Sequence, residues 1–303
     1  MANRPPHIAL TARDREVFTA LFKTPLTAEE LLTFSQTFQT PFQSLRRVQE
    51  RLSILARAGL LKRSRYATET GGAAPHYYKL SRKGFAVLVG PDAEVPRKRF
   101  FDPVTVSLQR HTQALASFLV HLHVSAHRAN VRIIDVIPEN CLKLKTGIGT
   151  LVPDTTLDIL LGDGRTFRFY VEVDHSTESL HTKNFDGWER RVARYETLRE
   201  ESGEPFRVLV LTIIEGERLT NILNCIAKRL RRPERSLFYG VTLSRFLAMP
   251  DAVASHIFKD HSGTSRSLVL PPLANYRAVK RSLATLQPSL PLRSGSPRTM
   301  RDG

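Results

Sequence analysis

Residues 40–66 read TPFQSLRRVQERLSILARAGLLKRSRY. The apolar residues of this stretch follow the three- and four-residue spacing of one helical face: Phe42, Leu45, Val48, Leu52 and Leu55. Thr40 is the predicted N-cap, because Pro41 suits the first helical position and Gln43 lies three residues past the cap. Gly59 ends the predicted helix, and the LLKRSRY segment around it favours a strand.

Two shorter helices are predicted before this one. The first starts at Thr11 as N-cap and ends before Pro25, and the second starts at Thr27, where Glu30 completes a capping box. After the third helix, the turn-rich GGAAP segment separates LLKRSRY from a second strand, HYYKL. Three short helices followed by a hairpin predict a winged helix-turn-helix domain over residues 1–90.

The charge of the chain favours a polyanionic partner. The formal net charge is +16, and residues 1–100 hold 17 Lys and Arg against 8 Asp and Glu. Because Lys and Arg set against phosphates release condensed counterions, we expect double-stranded DNA as the partner, with the third helix in its major groove. The predicted contacts lie on that helix and around the hairpin: Ser44, Arg46, Arg47, Gln49, Arg51, Lys62, Arg63, Arg65, Lys79, Arg82 and Lys83. A winged helix that makes protein contacts or a homodimer is the alternative.

The rest of the chain predicts an α/β multidomain protein. Residues 91–104 contain three prolines and the basic triplet Arg97–Arg99, so we expect a linker there. Residues 105–261 then alternate strands (VRIIDVI, LDILL, FRFYVEV and FRVLVLTII) with helices near 105–128, 181–201 and 217–231, which predicts a mixed sheet. Residues 262–303 are basic and lack sustained periodicity, so a largely disordered tail is expected.

Several classes of protein are disfavoured by composition. No apolar run is long enough to span a bilayer and no signal sequence is visible at the N-terminus, so we expect a cytoplasmic protein without a membrane partner. Cys141 and Cys225 are too few for a disulfide framework or a cysteine metal site.

A group of carboxylates is predicted around residues 152–174, VPDTTLDILLGDGRTFRFYVEVD. Glu172 and Asp174 project from one face of a strand, because strand side chains alternate, and hairpin pairing places Asp154 beside them. Glu139 follows the preceding strand and is a further candidate. Carboxylate oxygens suit Mg²⁺ or Mn²⁺, so Asp154, Glu172 and Glu139 are the predicted metal ligands.

This segment resembles the PD-(D/E)xK nuclease fold, in which a Pro-Asp pair is followed by an acid and a lysine two residues apart. Pro153, Asp154 and Glu172 match that pattern, whereas Asp174 stands where lysine is expected. The resemblance implies a nuclease-like domain with Asp154, Glu172 and Asp174 at the catalytic positions. The missing lysine implies a degenerate site, and the nearby Lys183, Arg190 and Arg191 are its candidate substitutes, although arginine cannot act as a base.

The wider pattern resembles the plasmid replication-relaxation proteins over roughly residues 11–245. After the winged-helix start, the resembling pieces are Arg110 with His111, the PD strand, EVDHSTES at 172–179, Arg191 with Tyr195, the FRVLVLTI strand and Arg218. The resemblance implies a role in replication, relaxation or mobilisation of a plasmid or other mobile element, with replication or mobilisation proteins as partners. An active Mg²⁺-dependent endonuclease or nickase and a winged-helix transcriptional regulator are the alternative functions.

Overall fold

The N-terminal helices begin at the two capping boxes that the sequence contains. The structure, a computed structural model, describes residues 8–67, 74–161, 164, 166–175 and 187–269. Helix α1 (Ala12–Lys23) follows Thr11, whose hydroxyl accepts the Asp14 N–H at 3.2 Å while the Asp14 carboxylate accepts the Thr11 N–H at 2.7 Å. A two-residue strand, β1 (Leu26–Thr27), leads into α2 (Ala28–Phe34). Thr27 and Glu30 cap α2 in the same reciprocal way, so both predicted N-caps are confirmed.

The third helix starts four residues later than the sequence predicts. Helix α3 (Leu45–Arg57) has Ser44 as its N-cap, and the Ser44 hydroxyl accepts the Arg47 N–H at 3.4 Å, so the predicted cap at Thr40 is wrong. The cause is tertiary: the Phe42 ring is buried, and its N–H donates to the Ser35 hydroxyl at 3.2 Å. This loop contact keeps the residues before Ser44 out of the helix. Gly59, with φ of +74°, follows the C-cap as predicted.

A small antiparallel sheet follows α3. Strands β2 (Leu61–Arg65) and β3 (His76–Leu80) pair as the predicted hairpin, and β1 joins β3 on its other side, which gives the order β1-β3-β2. Next come α4 (Arg82–Val89) and the short α5 (Lys98–Phe101). The core under these elements is formed mainly by apolar residues of the first three helices, among them Val17, Phe18, Leu31, Val48 and Leu52.

A seven-stranded mixed sheet forms the larger part of the molecule. It is approached through helix α6 (Val106–Arg128), and its elements in chain order are β4 (Arg132–Ile137), β5 (Leu144–Thr146), β6 (Gly149–Leu151), β7 (Thr155–Leu160), β8 (Thr166–Asp174), α7 (Trp188–Ser202), β9 (Phe206–Thr212), α8 (Arg218–Arg229), β10 (Phe238–Thr242), α9 (Leu243–Leu247), β11 (Phe258–Asp260) and β12 (Ser265–Arg266). The strand order is β12-β11-β10-β9-β8-β7-β4, while β5 and β6 form a separate hairpin. β8, β9 and β10 run parallel, and the remaining pairs are antiparallel. The predicted α/β class with a mixed sheet is therefore confirmed.

Helices cover both faces of this sheet, because successive strand residues point to opposite sides. Val171 and Val173 of β8 pack with Phe118 and Leu122 of α6 in one core. On the opposite face, Tyr170 packs in a second core with residues of α7 and α8. Helix α6 also contributes Ala116 and Val120 to the core of the N-terminal helices, so it belongs to two cores at once.

Some elements lie beyond the sequence-based prediction. The helix predicted from 181 begins at Trp188, after Gly187 in extended conformation as its N-cap, and residues 176–186 lie outside the described part of the chain. β10, β11, β12 and α9 were not predicted, and β12 together with the buried Leu268 and Val269 falls inside the region expected to be tail. The remainder of that region, 270–303, is not among the described residues. No helix in the described ranges is long and apolar enough to cross a membrane.

Candidate functional site

Helix α3 presents two arginines to solvent. The side chains of Arg46 and Arg47 are 87% and 75% exposed. Both lie near a single carboxylate, that of Glu50, at 2.9 Å from Arg46 Nε and 3.7 Å from Arg47 Nη1. Exposed pairs of this kind contribute about 0–1 kcal/mol, so little free energy holds either guanidinium in place. Gln49, also predicted as a DNA contact, is exposed on the same helix.

The β2–β3 hairpin presents a second group of cations beside α3. Lys62, Arg63 and Arg65 are exposed on β2, and Arg65 Nε donates to His76 Nε2 on β3 at 3.1 Å. Slight burial and the positive charges of Arg63 and Arg65 lower the pKa of His76, which favours its neutral form. A shallow groove separates α3 from the hairpin, and its lining residues include Gln49, Ser53, Arg63, His76 and Tyr78.

Several of the other predicted contact residues are engaged within the protein. Arg51 forms an ion pair with the buried Asp14, through Nε to Oδ1 at 2.6 Å and through Nη2 to Oδ2. Burial opposes ionisation of Asp14, but the hydrogen bonds from Arg51 and Thr11 outweigh it and lower the pKa of this carboxyl. Lys79 Nζ donates to the Asp102 carbonyl at 2.7 Å. These side chains hold the N-terminal elements together.

Two predicted DNA contacts at the start of α4 also interact with other parts of the chain. Lys83 Nζ donates to the Ala58 carbonyl at 3.1 Å, next to the C-terminal end of α3. The Arg82 guanidinium lies 4.9 Å from the centre of the Phe101 ring. Both side chains remain exposed to solvent, and Ser44 is exposed as well although it caps α3.

Asp154 lies at the start of β7 and contacts a histidine of α6. Its Oδ1 is 3.2 Å from His111 Nε2, and its Oδ2 accepts the Val173 N–H at 2.7 Å. Glu139 Oε1 is 3.8 Å from the same imidazole nitrogen. Burial alone would lower the pKa of His111, but the hydrogen bond to Asp154 and the charges of Asp154, Glu139 and Glu172 raise it. The pKa of Glu139 is raised in turn, chiefly by burial and against the opposing effect of His111.

Glu172 is held by two residues of α7. Its Oε2 is 3.1 Å from Arg191 Nη1, and its Oε1 accepts the Tyr195 hydroxyl at 2.6 Å. The two α7 residues are one helical turn apart, so both reach the same point above the sheet. Burial and the neighbouring Glu172 carboxylate raise the pKa of Tyr195, which keeps the hydroxyl protonated as a donor.

Asp174 lies on the same face of β8 as Glu172, as the sequence predicts, and contacts a different arginine. Arg218, the first residue of α8, donates from Nε to Oδ2 at 2.8 Å and from Nη2 to Oδ1 at 2.7 Å. The Trp188 indole N–H donates to Oδ1 at 3.3 Å. The Asp174 side chain is fully buried and that of Arg218 is 15% exposed, so this is an ion pair largely removed from water.

The structure thus brings together only part of the predicted carboxylate group. His111, Asp154 and Glu139 form one cluster, while Glu172 and Asp174 form ion pairs with arginines of α7 and α8. No group of three or more His, Cys, Asp or Glu side chains within the described ranges is arranged to hold a metal ion. Arg191 was foreseen as a substitute for the missing lysine, whereas the pairing of Arg218 with Asp174 was not. Lys183 lies outside the described residues.

Comparison with known families identifies the chain. The family model described as Replication-relaxation matches residues 24–207, which is more than half of the sequence. No curated protein and no solved structure matches it. Membership of this family suggests a role in plasmid replication or relaxation. On the length of that match, the chain belongs to the replication-relaxation family.

Proposed function

We propose that the chain binds double-stranded DNA through α3 and the β2–β3 hairpin, as part of plasmid replication, relaxation or mobilisation. The observation that carries this proposal is the pair of highly exposed arginines on α3, Arg46 and Arg47, beside the exposed cations of the hairpin. A surface of this charge gains affinity for phosphates through counterion release.

The order of elements supports a winged-helix interpretation of this part of the chain. The succession α1-β1-α2-α3-β2-β3, with strand order β1-β3-β2, places α3 before a hairpin that corresponds to the wing. In helix-turn-helix modules the corresponding helix enters the major groove, which is about 12 Å wide. Arg46, Arg47 and Gln49 then face base edges and phosphates, and Lys62, Arg63 and Arg65 face the adjacent backbone.

The predicted contact residues divide into two groups under this proposal. The exposed ones on α3 and β2 contact DNA, and those with internal partners orient the DNA-binding surface. Arg51 ties α3 to α1 through Asp14, and Lys79 ties the hairpin to the segment before α6 through Asp102. Loss of these two would reduce DNA binding through loss of stability, whereas loss of Arg46 and Arg47 would reduce it directly.

For the α/β part we propose a nuclease-like domain that has lost its chemistry. Glu172 faces Arg191 and Tyr195, and Asp174 faces Arg218 and Trp188. Carboxylates engaged in this way suit an ion-pair network better than Mg²⁺, which requires near-octahedral oxygen ligands at about 2.0–2.1 Å. We therefore assign Glu172 and Asp174 a structural role.

DNA binding is tested with fluorescence anisotropy on a labelled mixed-sequence duplex. The double variant R46A/R47A should bind roughly 10- to 100-fold more weakly than the wild type, since good arginine contacts contribute about 1–3 kcal/mol each. The matched control is R229A/R232A, because those arginines are also exposed, at 56% and 53%, and also pair with glutamates. Equal affinities of the two double variants would refute the assignment of α3.

The absence of turnover is tested separately. Supercoiled plasmid incubated with the protein and either Mg²⁺ or Mn²⁺ should remain supercoiled. Nicking that disappears in both D154A and E172A would refute the degenerate site and establish the alternative function, a metal-dependent nickase. Nicking that survives both substitutions would indicate a contaminating nuclease.

A further inference from the structure

The segment after α4 is fixed against the N-terminal helices although its prolines predict a linker. The Phe100 ring lies 5.8 Å from that of Phe22 on α1. Phe101 is 1% exposed, and its ring lies 5.8 Å from that of Phe85 on α4. Phe101 is therefore buried and Phe100 half-buried against the N-terminal helices, which leaves the other side of this short helix to solvent.

Two hydrogen bonds tie the same segment to the hairpin. Lys79 Nζ on β3 donates to the Asp102 carbonyl at 2.7 Å, and the Val104 N–H donates to the Tyr77 hydroxyl at 2.8 Å. Because β3 is the second strand of the β2–β3 hairpin, α5 has a fixed position beside the proposed wing.

The start of α5 presents three consecutive cations to solvent, whereas the exposed acids of this segment, Asp92 and Glu94, lie before them. Arg97, Lys98 and Arg99 are all exposed, and among the described residues none of the three forms an ion pair with a carboxylate. Three consecutive cations repel one another, and an anchored helix prevents them from separating.

The hairpin brings further cations to this place. Lys62 is the register partner of Lys79, and Arg99 precedes Asp102, the residue whose carbonyl binds the Lys79 ammonium. Burial lowers the pKa of Lys79 to about 8, and the charges of Lys62 and Arg99 add to this effect against the opposing charges of Glu139 and Asp102. Lys62, Lys79 and Arg99 thus lie close enough to affect one another, so the cations of the hairpin and of α5 are neighbours, with the Glu139 and Asp102 carboxylates near Lys79.

We propose that Arg97, Lys98 and Arg99 form a second phosphate-binding surface, which extends the duplex interface from the β2–β3 hairpin along α5. The inference rests on the proposed DNA binding, and it adds a second contact surface whose role is to bind backbone phosphates. Side chains that contact only backbone phosphates position the protein on the duplex and carry no sequence information. The α5 surface therefore adds affinity equally for every sequence, while recognition of bases belongs to α3.

The test is the salt dependence of duplex binding, measured by fluorescence anisotropy on two unrelated mixed-sequence duplexes. In R97A/K98A/R99A the slope of log K against log salt should become shallower by about 2 to 3, since each phosphate contact contributes about 0.9. The affinity should fall by the same factor on both duplexes. R97K/R99K keeps the charges and should keep the wild-type slope.

The matched control is K228A/R245A/K259A, which removes the same charge from three exposed residues of α8, α9 and β11. All variants should melt at the wild-type temperature, because Phe100 and Phe101 are retained. Coincident slopes for the two triple variants, with R46A/R47A still impaired, would overturn the α5 surface and leave the proposed function intact. A wild-type protein that fails to bind duplex DNA would overturn both.

Discussion

Removal of Arg218 from its ion pair with Asp174 is the sharpest test of the structural role assigned to the carboxylates. The guanidinium contacts both oxygens of Asp174, at 2.7 and 2.8 Å, and the carboxylate has no exposure to solvent. In R218M, an apolar side chain of similar length replaces that charge. Loss of one partner from a buried pair costs about 3–5 kcal/mol, because the remaining charge stays in a poorly solvated place. We expect a loss of this size in the free energy of unfolding.

Replacement of Asp174 should reduce the free energy of unfolding by less than replacement of Arg218 does, and the losses of the two single variants should not be additive. D174N removes the negative charge, and Arg218, which is 15% exposed, then reaches water more easily than Asp174 does; we expect a loss of about 2 kcal/mol. In R218M/D174N the buried carboxylate that lost its guanidinium is no longer present, so the double variant should be more stable than R218M. The expected coupling energy therefore exceeds the cost of D174N alone, about 2 kcal/mol.

The assay is equilibrium unfolding in urea of the wild type, the two single variants and the double variant, followed by circular dichroism. Independent sites add to within about 0.3–0.5 kcal/mol, so a coupling energy inside that range would refute a structural ion pair. R229M, at an exposed surface pair with Glu189, is the control. It should change stability by less than about 1 kcal/mol, as surface pairs do.

Three further predictions concern stability. Burial and the charge of Lys23 lower the pKa of His123 to about 3. Below about pH 6.5 the unfolded state therefore binds a proton that the folded state does not. The free energy of unfolding should then fall by about 1.4 kcal/mol per pH unit, down to about pH 3. Thermal melting against pH should show a shallower acid limb in His123→Phe, and an unchanged limb would contradict this assignment. The pKa of His111 is raised, so protonated His111 stabilises the fold fully below about pH 6.5, and this stabilisation is lost as the pH rises through the raised pKa. In His111→Gln, thermal melting should not show this decrease at higher pH. A pH profile identical to that of the wild type would argue against the contact with Asp154. In Gly84→Ala the added Cβ would lie 2.1 Å from the Leu60 carbonyl oxygen, so urea unfolding should show a loss of about 1–3 kcal/mol, against no change in Val87→Ala at an exposed site of the same helix.

The sequence predicted the starts of the first two helices correctly, because their capping contacts join residues that are close in sequence. The capping boxes at Thr11 and Thr27 involve residues three positions apart, and the structure has both. The start of α3 was wrong because burial of Phe42 and its bond to Ser35 depend on the folded neighbourhood. β11 and β12 contain three and two residues, which is too short for the alternation that identifies a strand.

The candidate site shows the same division. Alternation along β8 predicted that Glu172 and Asp174 share a face, and they do. The partner of Asp174 is 44 residues away in the sequence, and no periodicity relates the two. Arg51 was expected to face DNA because it lies off the apolar stripe of its helix, and Lys79 because it lies where the chain leaves the hairpin. Each has a partner in another element, Asp14 in α1 and the Asp102 carbonyl before α6.

Helix α6 packs against both the elements of the proposed DNA-binding surface and the sheet that carries the ion-pair network. Ala116 and Val120 pack among the N-terminal helices, and Phe118 and Leu122 pack against the large sheet. A winged helix on a flexible tether would bind DNA independently of the large sheet. Here the shared helix and the anchored α5 segment leave no such freedom, so under the proposed function a duplex at α3 would have a fixed orientation relative to the sheet. This arrangement supports the proposal that the chain holds DNA in one geometry for replication or mobilisation proteins, and the plasmid-nicking assay tests the proposed absence of cleavage.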